Sequence, residues 1–323
     1  MKHWLMKFAA LVATVSLVSA CGGGDDDPGT LAQEAQARGF TALVAAADKA
    51  GLVPALSADA SNLTVFAPTD AAFTSLATTL GFASADAMVK ALDGPTLAKI
   101  LQYHVLPTKK LAADLVAAGA TSAQPTLYAF EGAATTLALN TSAGVKITDE
   151  VLTEATVTTA NVDASNGVIH VIDKVLVPPG VLNLVQMAQL NPSFSVLVEA
   201  VVAANLATTL SGGSFTVFAP TNGAFTAALA ELSLTKSQLL ASPDLAGILT
   251  YHAVAGNVRA ADVVALPKPA SVTTVQGSAF TVSDTLAITD GRARSANLVA
   301  TDVIASNGVI HVIDKVLLPS LAN

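Results

Sequence analysis

The sequence predicts an α+β fold built twice in tandem, on three observations. The stretch ASNGVIHVIDKVL occurs at Ala164–Leu176 and again, unchanged, at Ala305–Leu317. Other blocks recur in the same order: FTALVAAADKAGL (Phe40–Leu52) with FSVLVEAVVAANL (Phe194–Leu206), NLTVFAPTDAAF (Asn62–Phe73) with SFTVFAPTNGAF (Ser214–Phe225), and ILQYHVLP (Ile100–Pro107) with ILTYHAVA (Ile248–Ala255). Within each copy helical patterns come first and β-rich runs last, the order of an α+β domain. The offset between copies drifts from 154 to 141 residues, too long a period for a solenoid, so whole domains are duplicated.

Residues 1–20 read as a signal peptide: MKHWLMK is positive, FAALVATVSLV is a short apolar run, and VSA supplies small residues before a cut. The next residue, Cys21, is the only cysteine. LVSAC resembles a bacterial lipobox, which makes Cys21 the lipid-attachment site; an ordinary secretory cut would leave it an odd free thiol. Two or three acyl chains there hold a protein lastingly at ~0.8 kcal/mol per buried CH₂. GGGDDDPG completes a tether at 21–29 that reads as flexible coil with a reach of about 15–18 Å. Two units follow, 30–178 and 179–323, divided at VPPGVLN (Val177–Asn183), where paired prolines and a glycine break the chain. So short a linker predicts a semi-rigid pair.

The elements of a unit follow from local chemistry. Phe40, Leu43, Val44 and Ala47 mark one helix face, as do Phe194, Leu197, Val198 and Val201. TVFAP is a short strand ended by proline. Thr69-Asp70 and Thr221-Asn222 then offer oxygens to cap a helix containing Phe73 or Phe225. Asp93-Gly94-Pro95 and Ser242-Pro243 read as a cap with an early proline. Leu97, Ile100, Leu101 and His104 lie at i, i+3, i+4, i+7, as do Leu245, Ile248, Leu249 and His252. Finally ATVTTANVD turns at Ser165-Asn166-Gly167 into VIHVIDKVL, a hairpin signal. In VIHVID both faces are apolar, the pattern of a strand covered on both sides.

These blocks carry a family resemblance. TVFAPTDAAF, the Tyr-His pair and NGVIHVIDKVLVPP resemble the two sequence boxes and Tyr-His motif of fasciclin-like domains, and both copies carry all three. The resemblance implies two tandem fasciclin-like domains, each a β-wedge of about seven strands with packed helices. It also implies extracellular adhesion or matrix interaction, without catalysis.

The bulk numbers bound the function. Hydrophobic residues make up 52% and charged residues 12%, so the chain has material for cores and is not disordered by composition. A net charge of −8, or −10 once Lys2 and Lys7 leave with the leader, argues against nucleic-acid binding. No nucleophile elbow, zinc-protease helix, phosphate loop or dinucleotide fingerprint is present, and no cysteine pair for zinc. No cofactor, metal or catalytic residue is expected.

Four histidines outside the leader form two equivalent pairs, His104 with His170 and His252 with His311. His104 and His252 sit on the apolar stripe, where a bond to a backbone carbonyl is the expected role. His170 and His311 read as structural strand residues, and Asp70 and Asn222 as caps. Asn222 matches Asp70, so that position needs an acceptor and no proton chemistry. Asp173 and Asp314 read as local partners near a strand end. The fasciclin resemblance implies receptor contact around the Tyr-His motif, which makes Tyr103, His104, Tyr251 and His252, with Asp173 and Asp314, the candidate interaction surface. Tyr103 and Tyr251 sit about 100° from the stripe and are expected near the surface or sealing the core's edge.

The leading functional expectation is a non-enzymatic, lipid-anchored cell-envelope protein on the outer membrane, meeting a surface protein, matrix polymer or glycan. The membrane is reached through acyl chains on Cys21. The alternative is a periplasm-facing binding protein for a small ligand or cell-wall glycan. A hydrolase or metalloenzyme rests only on the paired histidines and aspartates.

Overall fold

The computed structural model describes residues 27–59 and 61–320. The expected signal peptide, Cys21 and residues 22–26 of the tether lie outside the described residues. Gly29, at the tether's end, is fixed to the first unit. Its N–H donates to Glu34 Oε1 (3.0 Å) and its carbonyl accepts from Ser165 N (2.9 Å). The flexible-tether expectation is therefore corrected at Gly29.

The first unit opens with α1 (Leu31–Ala37), α2 (Thr41–Lys49), α3 (Val53–Leu56) and β1 (Leu63–Pro68). Next come α4 (Asp70–Thr79), α5 (Ala85–Ala91), α6 (Gly94–Tyr103), β2 (Val105–Leu106) and α7 (Ala112–Ala117). It closes with β3 (Thr121–Phe130), β4 (Ala133–Asn140), β5 (Lys146–Thr148), β6 (Glu154–Ala164) and β7 (Gly167–Ile172). The strands form one sheet in the order β2-β1-β7-β6-β5-β4-β3, with β1 and β7 parallel. Ser165 and Asn166 make the two-residue turn between β6 and β7, with Ala164 opposite Gly167.

All six residues of β1 and of β7 are buried. The helices pack on one face of these strands, burying Phe73, Leu97, Leu101 and Ile169. The other face packs against β3–β6 through Phe66, Leu137, Ile147 and Ile172. This double cover explains the unalternating apolar run in VIHVID. Gly167 is required by closeness: a Cβ there would collide with the Leu63 carbonyl, and one at Gly308 with that of Phe215.

The second unit repeats the plan: α8 (Leu184–Leu190), α9 (Ser195–Ala203), α10 (Ala207–Gly212), β8 (Phe215–Pro220), α11 (Asn222–Leu232), α12 (Lys236–Leu240) and α13 (Leu245–Tyr251). β9 (Ala253–Ala255) and α14 (Ala260–Val264) precede β10 (Ala270–Thr273), β11 (Ala279–Val282), β12 (Ile288–Thr289), β13 (Ser295–Ala296), β14 (Leu298–Ala305) and β15 (Gly308–Ile313). Its strands divide into two sheets, β14-β15-β8-β9 and β10-β11-β12-β13. Helix α13 starts at Leu245, two residues beyond Pro243, so Ser242 caps a turn through Asp244 N (3.2 Å) and not the helix. Asp93 caps α6 as the sequence predicts, accepting from Thr96 N at 2.7 Å.

The units meet closely. Val151 and Val177 pack into the second unit's core cluster. Asn191 Nδ2 donates to Val151 O (2.8 Å) and Tyr128 Oη to Pro179 O (3.1 Å). Ile304 N donates to Glu150 Oε1 at 2.6 Å. Among the described residues, no helix is long and apolar enough to cross a membrane.

Candidate functional site

The repeated histidines and acids build a clamp on the backbone, once in each unit. After β7 the chain runs buried through Val175, Leu176 and Val177 without a sheet partner for every amide. Buried N–H groups must be satisfied by something. His104, at the C-terminus of α6, satisfies one: its Nε2 accepts from Leu176 N (2.9 Å). The next amide, Val177 N, donates to Asp149 Oδ2 (3.1 Å). The second unit repeats both bonds, Leu317 N to His252 Nε2 (2.8 Å) and Leu318 N to Asp290 Oδ2 (3.0 Å). Two adjacent amides are thus held by a helix terminus and a strand end together.

The tautomer follows from the same bonds. His104 Nδ1 lies 2.7 Å from Ile100 O and His252 Nδ1 2.8 Å from Ile248 O, and a carbonyl only accepts. So Nδ1 carries the proton and Nε2 presents its lone pair to an amide. Burial lowers both imidazoles to about 4, opposed by the carbonyl bond. His170 and His311 hold the opposite tautomer. Nε2 donates to Lys110 O or Val258 O (2.9 Å each), and Nδ1 accepts from Asn161 N or Asp302 N (3.3 Å each). Burial lowers these two as well. Both nitrogens of each of the four are engaged, so none offers a lone pair to a metal or substrate. Among the described residues no cluster of three or more His, Cys, Asp or Glu could hold a metal ion.

Asp149 and Asp290 are residues the sequence reading missed. Asp149 is 4% exposed and Asp290 5%. Lys174 Nζ pairs with Asp149 at 2.8 Å, and Arg294 with Asp290 at 2.8 Å through one nitrogen and 3.0 Å through another. Asp290 sits below the usual carboxylate range: burial pushes it up, but bonds from Leu318, Arg294 and Arg292 outweigh that. The recurrence of ITD at 147–149 and 288–290 was the available signal.

Four members of the expected interaction surface are corrected by burial. Tyr103 is 2% exposed, His104 1%, Tyr251 0% and His252 2%. The tyrosines face away from the helical stripe, but the strands after α7 and α14 cover that side too. Tyr103 Oη donates to Thr136 O (3.4 Å) and meets Tyr128 edge-on at 6.3 Å. Tyr251 Oη donates to Ala279 O (3.0 Å) and meets Phe280 edge-on at 6.1 Å. Burial pushes both phenols up. Asp173 and Asp314 are exposed, but each is engaged locally, Asp173 accepting from Thr156 N (2.7 Å) and Asp314 from Asn297 N (2.7 Å). The structure therefore does not bring the six residues to one surface.

Asp70 and Asn222 cap, though not the helix they begin. Thr69 and Thr221 cap α4 and α11 by accepting from Ala72 N and Ala224 N. Asp70 reaches back to the start of α2, accepting from Ala42 N (2.9 Å), Thr41 N (3.3 Å) and the Thr41 hydroxyl. Asn222 accepts from Val196 N (3.0 Å) and donates to Pro192 O (2.9 Å). Asn166, read as a turn residue, is also a hub. Its Oδ1 accepts from Leu31 N (2.8 Å), and its Nδ2 donates to Leu56 O (2.9 Å) and Ala58 O (3.0 Å). Asn307 repeats this with Leu184 N, Leu210 O and Gly213 O.

The Fasciclin domain family model matches residues 38–178 and again 192–319. The chain belongs to the fasciclin-domain family. It is 44% identical over 144 residues to "Protein sll1483" of Synechocystis, covering 43% of this chain and 75% of that protein. It is 36% identical over 137 residues to the "Cell surface glycolipoprotein MPB83" of Mycobacterium bovis, covering 40% of this chain and 57% of that one. A fasciclin domain pair from the insect cell adhesion molecule fasciclin I aligns in structure with a TM-score of 0.45 and 20% identity, over 88% of this chain and 98% of that one. Every residue of the two clamps lies within the matched fasciclin segments.

Proposed function

We propose that this fasciclin pair is a non-enzymatic, lipid-anchored cell-envelope protein of the outer membrane that binds a surface protein, matrix polymer or glycan through its outer faces. One observation carries the reading: the polar groups that recur in both units, from His104 and Asp149 to Asn166 and their second-unit equivalents, are spent on buried backbone. Chemistry-bearing residues are thereby removed from solvent, and what remains for other molecules is the exterior of a joined pair. The lipobox-like LVSAC and the likeness to a cell surface glycolipoprotein support anchoring at Cys21. Two modules on one anchor engage a multivalent surface with avidity beyond either alone.

The test compares bacteria exporting the full chain with bacteria exporting Cys21→Ser, in adhesion to matrix-coated surfaces. Radiolabelled palmitate should enter only the former, and adhesion should fall at least tenfold in the latter. Equal adhesion, or label retained without Cys21, would refute anchored adhesion.

A further inference from the structure

The two units differ at one apolar pocket that opens to the surface. In the first, an apolar cavity of about 310 Å³ lies between α1, α2, α3 and β1, lined by Leu43, Ala47, Leu56, Val65, Leu101 and Ile169 among others. The same place in the second unit holds about 40 Å³. The repeat shows why. Ala47 corresponds to Val201 and Ala32 to Val185, and both valines project into the smaller space. One copy of the domain has filled this gap with its own side chains and the other has not.

An unfilled apolar cavity lowers stability in proportion to its volume. Pockets that hold small molecules begin near ~300 Å³ and are mostly apolar with a few polar groups. This cavity fits that description. At ~30 Å³ per water-sized group its volume is that of about ten heavy atoms. Its lining runs from buried strand residues and the His104 ring, whose nitrogens are both held by backbone, out to exposed Gln33 and Gln36 and half-buried Gln102 and Ser57, neutral hydrogen-bonding groups. Among the described residues, no charged side chain and none of Phe, Tyr or Trp lines it. That composition disfavours an ionised head, which would need a cation, and a sugar, which stacks on rings.

We propose that the first unit binds one acyl chain of a lipid with an uncharged polar head, of the monoacylglycerol class, with the tail in the cavity and the head at the glutamines. Apolar lining takes the hydrocarbon from water, and the amides hydrogen-bond hydroxyl and ester oxygens. The second unit, filled by Val185 and Val201, does not bind.

The test uses the chain carrying Cys21→Ser, which bears no acyl group of its own, titrated calorimetrically with monodecanoyl glycerol below its micelle concentration. Saturable binding of one lipid per chain is expected, with decanoate at least tenfold weaker. Ala32→Val with Ala47→Val, the residues of the second unit, should weaken binding at least tenfold while leaving the melting temperature unchanged or higher. If that double variant melts lower, Ala47→Val alone serves, with the same loss expected. No saturable binding, two lipids per chain, or binding indifferent to these substitutions would overturn the proposal. So would uptake by Cys21→Ser but not by the acylated chain, because the site would then belong to the protein's own lipid.

Discussion

Acidification should destabilise both units through His104 and His252, by an amount the structure sets. Each imidazole is held neutral at about 4 by burial, against ~6.5 in an unfolded chain. The folded pKa lies below the unfolded one, so the unfolded chain binds the proton first. The stabilisation is whole above pH ~6.5 and is lost as pH falls toward the folded value. At pH 5 the loss is about 2 kcal/mol for each histidine. A proton forced onto Nε2 would also face the Leu176 or Leu317 amide, donor against donor. Glu150 works the other way, raised to about 7 chiefly by burial, so the comparison belongs in a Glu150→Gln background. Urea unfolding followed by circular dichroism at pH 7.5 and pH 5 gives the numbers. Adding His104→Gln or His252→Gln should lower stability at pH 7.5 by about 1–3 kcal/mol, because a poorly matched side chain replaces a two-bond clamp. The same substitution should remove about 2 kcal/mol of the acid loss. Identical acid losses with and without the histidines would refute the reasoning.

Three further outcomes follow from the same contacts. Glu150 has a raised folded pKa, so its contribution is present below the unfolded carboxylate range and lost as pH rises through about 7; Glu150→Gln should raise the melting temperature at pH 8 and leave it nearly unchanged at pH 5. Asn166→Ala abandons the Leu31 amide and two buried carbonyls and should cost about 2–4 kcal/mol in urea unfolding, with Asn166→Asp no better because a carboxylate cannot donate to Leu56 O or Ala58 O. Asp70→Asn should cost less than about 0.5 kcal/mol, since Asn222 already plays this part, whereas Asp70→Ala should cost about 0.5–2 kcal/mol as a lost cap.

Much of this architecture was legible because it is periodic or repeated. The helical stripe of Leu97, Ile100, Leu101 and His104 and the doubly covered VIHVID run are patterns within one element, and such patterns survive in one dimension. What was not legible depends on a second element arriving. Tyr103 and Tyr251 read as residues near the surface or sealing the core's edge, because a helix wheel shows only one buried face; the strands that bury the other face begin well downstream. Asp70 offers a cap to its own helix in sequence, and only the fold brings the start of α2 within its reach. Asp149 and Asp290 sat in a three-residue repeat too short to draw notice. Their role, holding the amides of Val177 and Leu318, exists only once those segments are buried without a sheet partner.

The duplicated imidazoles brace the backbone and are closed to other chemistry, and on this the rest depends. Nitrogen-15 NMR of the histidine rings across a pH titration, with and without zinc, tests it most directly. Nδ1–H tautomers are expected for His104 and His252, and Nε2–H tautomers for His170 and His311. His104 and His252 should stay neutral at pH 5, and all four should be indifferent to the metal. An imidazole among them that titrates near 6.5, or whose nitrogen signal moves on addition of zinc, would contradict it.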